Sequence, residues 1–165
     1  MGFKLQLAGA ADVAELVALR TAVNQHLTSQ YGQGHWSSGV TEKGVLYAMR
    51  ISTVYVARYR SRLIATLALS TRKPWAIDKK YFSASRRPLY LTAMAVAPNR
   101  QRQGIGRLCI DAVRHIAIQW PGDAIRLDAY DAEAGAGEFY SKCGFREVGR
   151  AAYRNAPLIY FEMLV

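Results

Sequence analysis

The spacing of apolar residues changes repeatedly along the chain, and each change predicts an element. Val13, Leu16, Val17, Val23 and Leu27 recur at roughly helical intervals. With Asp12 and Glu15 arranged like a capping box, they predict a first helix from about Val13 to Ser29. The glycines and serines between Tyr31 and Gly39 predict a loop. Thr41 then reads as the N-cap of a short helix ending near Arg50. Val, Tyr, Leu and Ile dominate Thr53–Arg60 and Leu63–Thr71, which predict two strands turning at Ser61-Arg62. Arg72 to Pro88 is a long mixed loop, of a length that compact domains keep for a purpose.

Leu89 to Ala97 is nearly continuous in apolar residues and predicts a strand buried on both faces. Ile105, Leu108, Cys109, Ala112, Val113, Ile116 and Ala117 carry the clearest helical period, ended by Pro121-Gly122. A strand over Ala124–Tyr130 follows, then a short helix over Glu133–Lys142 with Gly144 as its C-terminal glycine. Phe145–Arg150 and Pro157–Leu164 supply two closing strands. Helices interleaved with strands predict a mixed α/β fold, helices covering a central sheet. Its 165 residues, 51% of them hydrophobic, suit a single domain over 1–165 with a full core. No apolar run approaches the length of a membrane span, so no membrane partner is expected. Met1-Gly2-Phe3-Lys4-Leu5 lacks the apolar stretch of a secretory signal.

Charge narrows the partners. The net charge of +10, from 22 basic and 12 acidic residues, favours an anionic ligand. The basic residues are scattered in short groups with no continuous basic helix or tail, which argues against nucleic acid and for a phosphate-rich cofactor. Cys109 and Cys143 read as reduced, packed thiols, pointing to the cytoplasm. His26, His35 and His115 have no metal-ligand spacing, so no metal is expected.

The group Pro98-Asn99-Arg100-Gln101-Arg102-Gln103-Gly104-Ile105-Gly106-Arg107 lies between a buried strand and a strong helix. A helix N-terminus offers unpaired amides and partial positive charge. Gly104 and Gly106 let a ligand approach that backbone, and Arg102 and Arg107 add charge. Together these predict a pyrophosphate site. Arg107-Leu108 stands where a P-loop needs Lys-Ser or Lys-Thr, and Cys109 where a dinucleotide fingerprint needs its third glycine.

Two stretches resemble the signatures of the GNAT superfamily of N-acetyltransferases. In the first, Met94 to Gly106, residues Gln101, Gly104 and Gly106 fill the core Gln/Arg-x-x-Gly-x-Gly/Ala. The second, Ala136-Gly137-Glu138-Phe139-Tyr140-Ser141-Lys142-Cys143-Gly144-Phe145, resembles Ala-x-x-Phe-Tyr-x-Lys-x-Gly-Phe. The resemblance implies a GNAT-like fold with a mostly antiparallel sheet and one splayed parallel pair of strands. It implies acetyl-CoA as co-substrate, with the main chain of Met94, Ala95 and Val96 pairing with the pantetheine arm. The amides of Arg102, Gln103, Gly104, Ile105, Gly106 and Arg107 would hold the pyrophosphate, and Tyr140 would protonate the leaving thiolate. One departure stands out: many members have Asn seven residues before the tyrosine, where this chain has Glu133.

The implied activity is acetyl transfer to a primary amine by direct attack in a ternary complex. The alternative is a module that senses acyl-CoA without turning it over. A base must take a proton from the ammonium, and Asp128, Asp131, Glu42 and His35 are candidates beside a water chain. His35-Trp36, Trp75, Tyr81-Phe82 and Tyr153 are candidates for the acceptor pocket, though core packing accounts for any one of them. The acceptor itself, a small amine, a free amino acid or a protein amine, stays open, as does assembly into a homodimer.

Overall fold

The computed structural model describes residues 2–165. Seven strands form one mixed sheet in the order β1-β2-β3-β4-β5-β7-β6. The chain divides into two compact units: residues up to Leu69 with Ala93–Ala112, and Ser70–Thr92 with Val113–Val165.

In the first unit, β1 (Gln6–Leu7) pairs antiparallel with β2 (Thr53–Tyr59), and β2 with β3 (Arg62–Ser70). The hairpin turns on Arg60 and Ser61, both with positive φ (48° and 66°), one residue earlier than the sequence predicts. Two left-handed residues twist the turn with the strands. Helix α1 (Val13–Tyr31) buries Val13, Leu16 and Leu19 against Val45 of α2 (Glu42–Ile51) and Val56 and Leu63 of the hairpin. Thr41 caps α2 as predicted, its hydroxyl accepting from the Gly44 amide at 3.0 Å. Asp12 does not cap α1 with its side chain. Its carboxylate turns back to accept from the Gly9 amide at 2.7 Å and pairs with Arg58. A charged partner held by the folded sheet outcompetes a local cap. The loop after α1 lies on that helix. Trp36 Nε1 donates to Gly32 O at 3.0 Å, Asn24 Nδ2 to Ser38 O at 2.8 Å, and Thr28 and Ser37 share a hydroxyl bond at 2.7 Å.

In the second unit, β5 (Ala124–Tyr130) pairs antiparallel with β7 (Ala156–Leu164), and β7 with β6 (Arg146–Tyr153). Strand β4 (Pro88–Val96) begins here and runs parallel to β5, with Tyr90 opposite Arg126. Helix α4 (Gly137–Lys142) starts four residues later than predicted. The preceding residues form a turn pressed on the end of β5, and a Cβ at Gly135 would stand 1.9 Å from the Tyr130 carbonyl. The helix ends as predicted. Gly144 takes φ +97°, its amide reaches Ser141 O at 3.1 Å and the Phe145 amide reaches Tyr140 O at 3.1 Å, a Schellman closure.

The long loop before β4 is fastened rather than free. Tyr81 and Phe82 pack their rings 5.4 Å from that of Tyr160, within a cluster that includes Ile77, Tyr90 and Leu158. Ser83 is tied to Glu162, which pairs with Arg126 at 2.9 Å behind almost complete burial. Asp123 takes the amides of Arg86 and Arg87 and the hydroxyl of Ser85.

Two expectations about burial need correction. Only Leu89, Tyr90 and Leu91 of β4 are fully buried; Ala93 is exposed and adopts φ +51°, so the second half is not a strand covered on both faces. The buried stripe of α3 (Ile105–Gln119) includes Cys109, Ile110, Val113 and Ala117, while Leu108 faces out at 41% exposure.

Candidate active site

Within the first unit, the stretch from Met94 to Arg107 carries the features expected of a phosphate cradle. Met94, Ala95 and Val96 are partly buried. The chain leaves β4 through a 3-10 turn at Pro98–Arg100, held by the Arg100 amide on Ala97 O at 2.8 Å. Gln101 Nε2 donates back to Val96 O at 3.1 Å and Gln103 Nε2 to Asn99 O at 3.1 Å, so the turn is braced by its own side chains. Arg102 and Gly104 are both left-handed, at φ 59° and 82°, and both are exposed with Gln103 between them. Left-handed residues interleaved in a turn direct successive amides to a common side. The first amide that closes onto the turn is that of Leu108, on Gly104 O at 3.1 Å. The amides before it belong to the helical start that has no intrahelical acceptor. Arg102 and Arg107 are exposed beside them, and Arg100 lies over the Tyr59 ring at 4.6 Å. Exposed residues, a helix start and exposed cations in one short stretch fit a pyrophosphate.

In the second unit, Tyr140 lies on α4 at 9% exposure, ringed by Phe139, Phe145 and Phe161 at centroid distances of 5.2, 5.6 and 6.0 Å. Gly137 lets the helix settle on Ile159 and Phe161, 3.4 Å from where its Cβ would stand.

The four carboxylate and histidine candidates separate clearly. Asp131 is paired with Arg150 at 3.2 Å. Glu42 is exposed in the first turn of α2, and His35 is exposed in a 3-10 turn. Asp128 differs from all three. It sits on β5 opposite Tyr160, no cation pairs with it among the described residues, and burial pushes its carboxyl pKa up. Tyr130 and Tyr160 also have raised pKa values, chiefly from burial, with Asp128 adding to the effect.

The aromatic candidates for an acceptor pocket are spread out. Trp75 is 86% exposed, whereas Tyr81, Phe82 and Tyr153 belong to the cluster around Tyr160. Cys109 is fully buried and its thiol is pushed up to about 12 by burial, so it is no nucleophile near neutral pH. Among the described residues, no group of three or more His, Cys, Asp or Glu side chains could hold a metal ion. No helix among them is long and apolar enough to cross a membrane.

Sequence reasoning missed Arg20. It reads there as one cation on an ordinary helix. In the fold it lines a narrow slot with Leu16, Val45, Ala48 and Ala93, and burial lowers its pKa.

Comparison with known proteins gives the family and the fold. The family profile described as Acetyltransferase (GNAT) domain matches residues 50–147, more than half of the chain. The chain therefore belongs to the GNAT acetyltransferase family. Among solved structures, it is similar to a GCN5-related N-acetyltransferase from Rhodopseudomonas palustris, with 17% identity, coverage of 100% of this chain and 97% of that one, and a TM-score of 0.75. It is also similar to the ribosomal-protein-S18-alanine N-acetyltransferase of Escherichia coli, with 14% identity, coverage of 99% and 94%, and a TM-score of 0.72. An N-acetyltransferase from Staphylococcus aureus Mu50 has 19% identity, coverage of 98% and 97%, and a TM-score of 0.71. At these identities the likeness concerns the fold. A sequence search of curated proteins finds no match.

Proposed function

We propose that the protein transfers the acetyl group of acetyl-CoA to a primary amine by direct attack in a ternary complex. The observation that carries this reading is the braced turn at Arg102–Gly104, which presents exposed amides and cations at the start of α3. In this reading the amides of Arg102 to Arg107 hold the pyrophosphate, and the main chain of Met94, Ala95 and Val96 pairs with the pantetheine arm. A main-chain amide of β4, that of Val96 or Met94, faces the oxyanion that forms when the amine adds to the thioester carbonyl.

The chemistry then needs two proton movements. An alkylammonium has a pKa of about 10.4 and must lose a proton before it attacks. Asp128, uncompensated by any cation and raised by burial, is the group best suited to accept it. The departing thiolate takes a proton from the Tyr140 hydroxyl, whose class pKa of about 10 is close to that of an alkyl thiol. Cys109 stays protonated in its apolar setting, which supports direct transfer over a covalent acyl-enzyme.

Thermal shift with acetyl-CoA tests the reading. Binding at a hundredfold excess over Kd stabilises the fold by about 2.7 kcal/mol, roughly 5–10 °C for a chain of this size. Gly104→Val should abolish the shift while leaving a folded protein. No atom lies within 4 Å of a Cβ placed there, and the substitution acts through its φ of +82°. A full shift in that variant would remove the turn from the mechanism.

A further inference from the structure

Helix α1 carries an uncharged polar stripe toward its C-terminal end. Thr21, Asn24, Gln25 and Thr28 stand three, four and seven positions along, the spacing that gathers side chains on one helical face. Gly32 ends the helix at φ +82°, a backbone that suits glycine, and the chain then returns along it. Ser37 bonds to Thr28, and one helical turn earlier Asn24 bonds to the Ser38 carbonyl. The returning loop is thereby fixed beside the stripe.

Between helix and loop lies a cavity of about 470 Å³, partly open to solvent. Small-molecule sites fall at about 300–1,000 Å³. Charged residues make up 21% of the chain, yet none of the ten that line this cavity is charged. Eight of the ten carry a hydroxyl or a carboxamide. Asn24, Thr28 and Ser37 spend theirs on holding the loop. Thr21, Gln25 and Gln33 make no side-chain hydrogen bond among the described residues, so their donors and acceptors are left for a ligand.

We propose that this cavity binds an uncharged, hydroxyl-rich molecule of the sugar class. A sugar hydroxyl both donates and accepts, and hydroxyl and carboxamide side chains do the same. An ionic ligand would find no counter-charge on these walls and would give up hydration to enter. Val40 adds an apolar wall on which the C–H groups of a ring can rest. An extended peptide is disfavoured, because it binds by pairing its main chain along a sheet edge, and a helix and a loop form this site. The cavity lies wholly within the first unit, and its occupancy does not depend on the transferase reading.

The test titrates the full chain, labelled with nitrogen-15, with glucose, galactose, mannose, maltose and lactose. Glucuronate and galacturonate are the charged counterparts, and an N-acetylated, C-amidated Gly-Ser-Gly is the peptide arm. At least one neutral sugar should shift the side-chain amide signals of Gln25 and Gln33 saturably. It should bind at least about threefold tighter than the uronates. Gln25→Leu and Thr21→Val should each weaken that binding about three- to tenfold. Gln25 is exposed, so its replacement leaves the core untouched. Gln30→Leu, an equally exposed change on α1 away from the cavity, should leave the affinity at the wild-type value. No saturable shift with any neutral sugar overturns the proposal, as does a shift produced by the peptide alone. Uronates that bind as tightly as neutral sugars also overturn it. So does an affinity that is unchanged in both cavity variants or that falls equally in Gln30→Leu.

Discussion

Glu162→Gln changes a single functional group and should be among the most damaging substitutions in the second unit. Glu162 Oε2 accepts from Arg126 Nε at 2.9 Å. Its Oε1 accepts from the Ser83 hydroxyl at 2.6 Å and the Ser83 amide at 3.3 Å. Arg126 spends its remaining donors on Ser83 O at 2.6 Å and Tyr90 Oη at 3.4 Å. The two side chains are only 5% and 1% exposed. The glutamine amide would place a donor where donors already converge and leave the Arg126 charge buried without its counterion. Breaking one side of such a pair costs about 3–5 kcal/mol, roughly 6–20 °C in Tm at this chain length. Urea denaturation followed by circular dichroism measures it directly. The double variant Arg126→Met/Glu162→Leu removes both charges together and should be at least about 2 kcal/mol more stable than the summed single losses suggest. Hydrogen exchange should speed up first at the Ser83 amide, because the carboxylate is its acceptor. A fall of less than about 2 °C in Glu162→Gln, or strict additivity in the cycle, would refute the view that this network holds the loop to the sheet.

Three further outcomes follow from the proposed chemistry. Tyr140→Phe should lower the single-turnover rate at least about a hundredfold while changing acetyl-CoA affinity less than about threefold; an unchanged rate would sink the acid assignment. Asp128→Asn should lower kcat/KM by a similar factor, and the acid limb of the wild-type pH profile should lie above the ordinary aspartate value of 3.8. Because the folded pKa is raised, ionising Asp128 costs stability as pH rises through it, so Asp128→Asn should raise Tm at pH 7, with the gain shrinking toward pH 3.8. Cys109→Ala and Cys143→Ala should each retain most of the turnover, and burst kinetics with acyl mass on either cysteine would contradict direct transfer.

What the sequence disclosed was local. Thr41 three residues before Gly44, the Pro121-Gly122 stop and the glycine after α4 each act through bonds within a few residues, and each appears where the pattern placed it. Misreadings arose where a distant partner decided the matter. Asp12 looks like a cap until Arg58, forty-six positions on, claims it. The helix expected from Glu133 is delayed because the chain must first round the end of β5 at Gly135. Strand β1 has only two residues, too few for any period to register, and exists through its pairing with Val56 and Tyr55. The glycine turn was legible as a candidate cradle because its chemistry is written in consecutive residues. The half-buried place of Arg20 was not, because Val45, Val54 and Ala93, which line the same slot, are distant from it in sequence.

The loop before β4 also bears on how this chain can change. Its second half is anchored at Ser83 by Glu162 and at Ser85, Arg86 and Arg87 by Asp123, so the start of β4 keeps its place whatever happens upstream. Between Ser70 and that anchorage, Lys73 Nζ reaches Ile77 O at 2.6 Å, yet Trp75 between them extends into solvent. Insertions or a tag at Trp75 would lengthen a segment whose far end is already clamped. The anchors thus confine tolerance of change in this loop to its exposed tip at Trp75, because the next residue, Ala76, already accepts from the Tyr160 hydroxyl and Ile77 is buried.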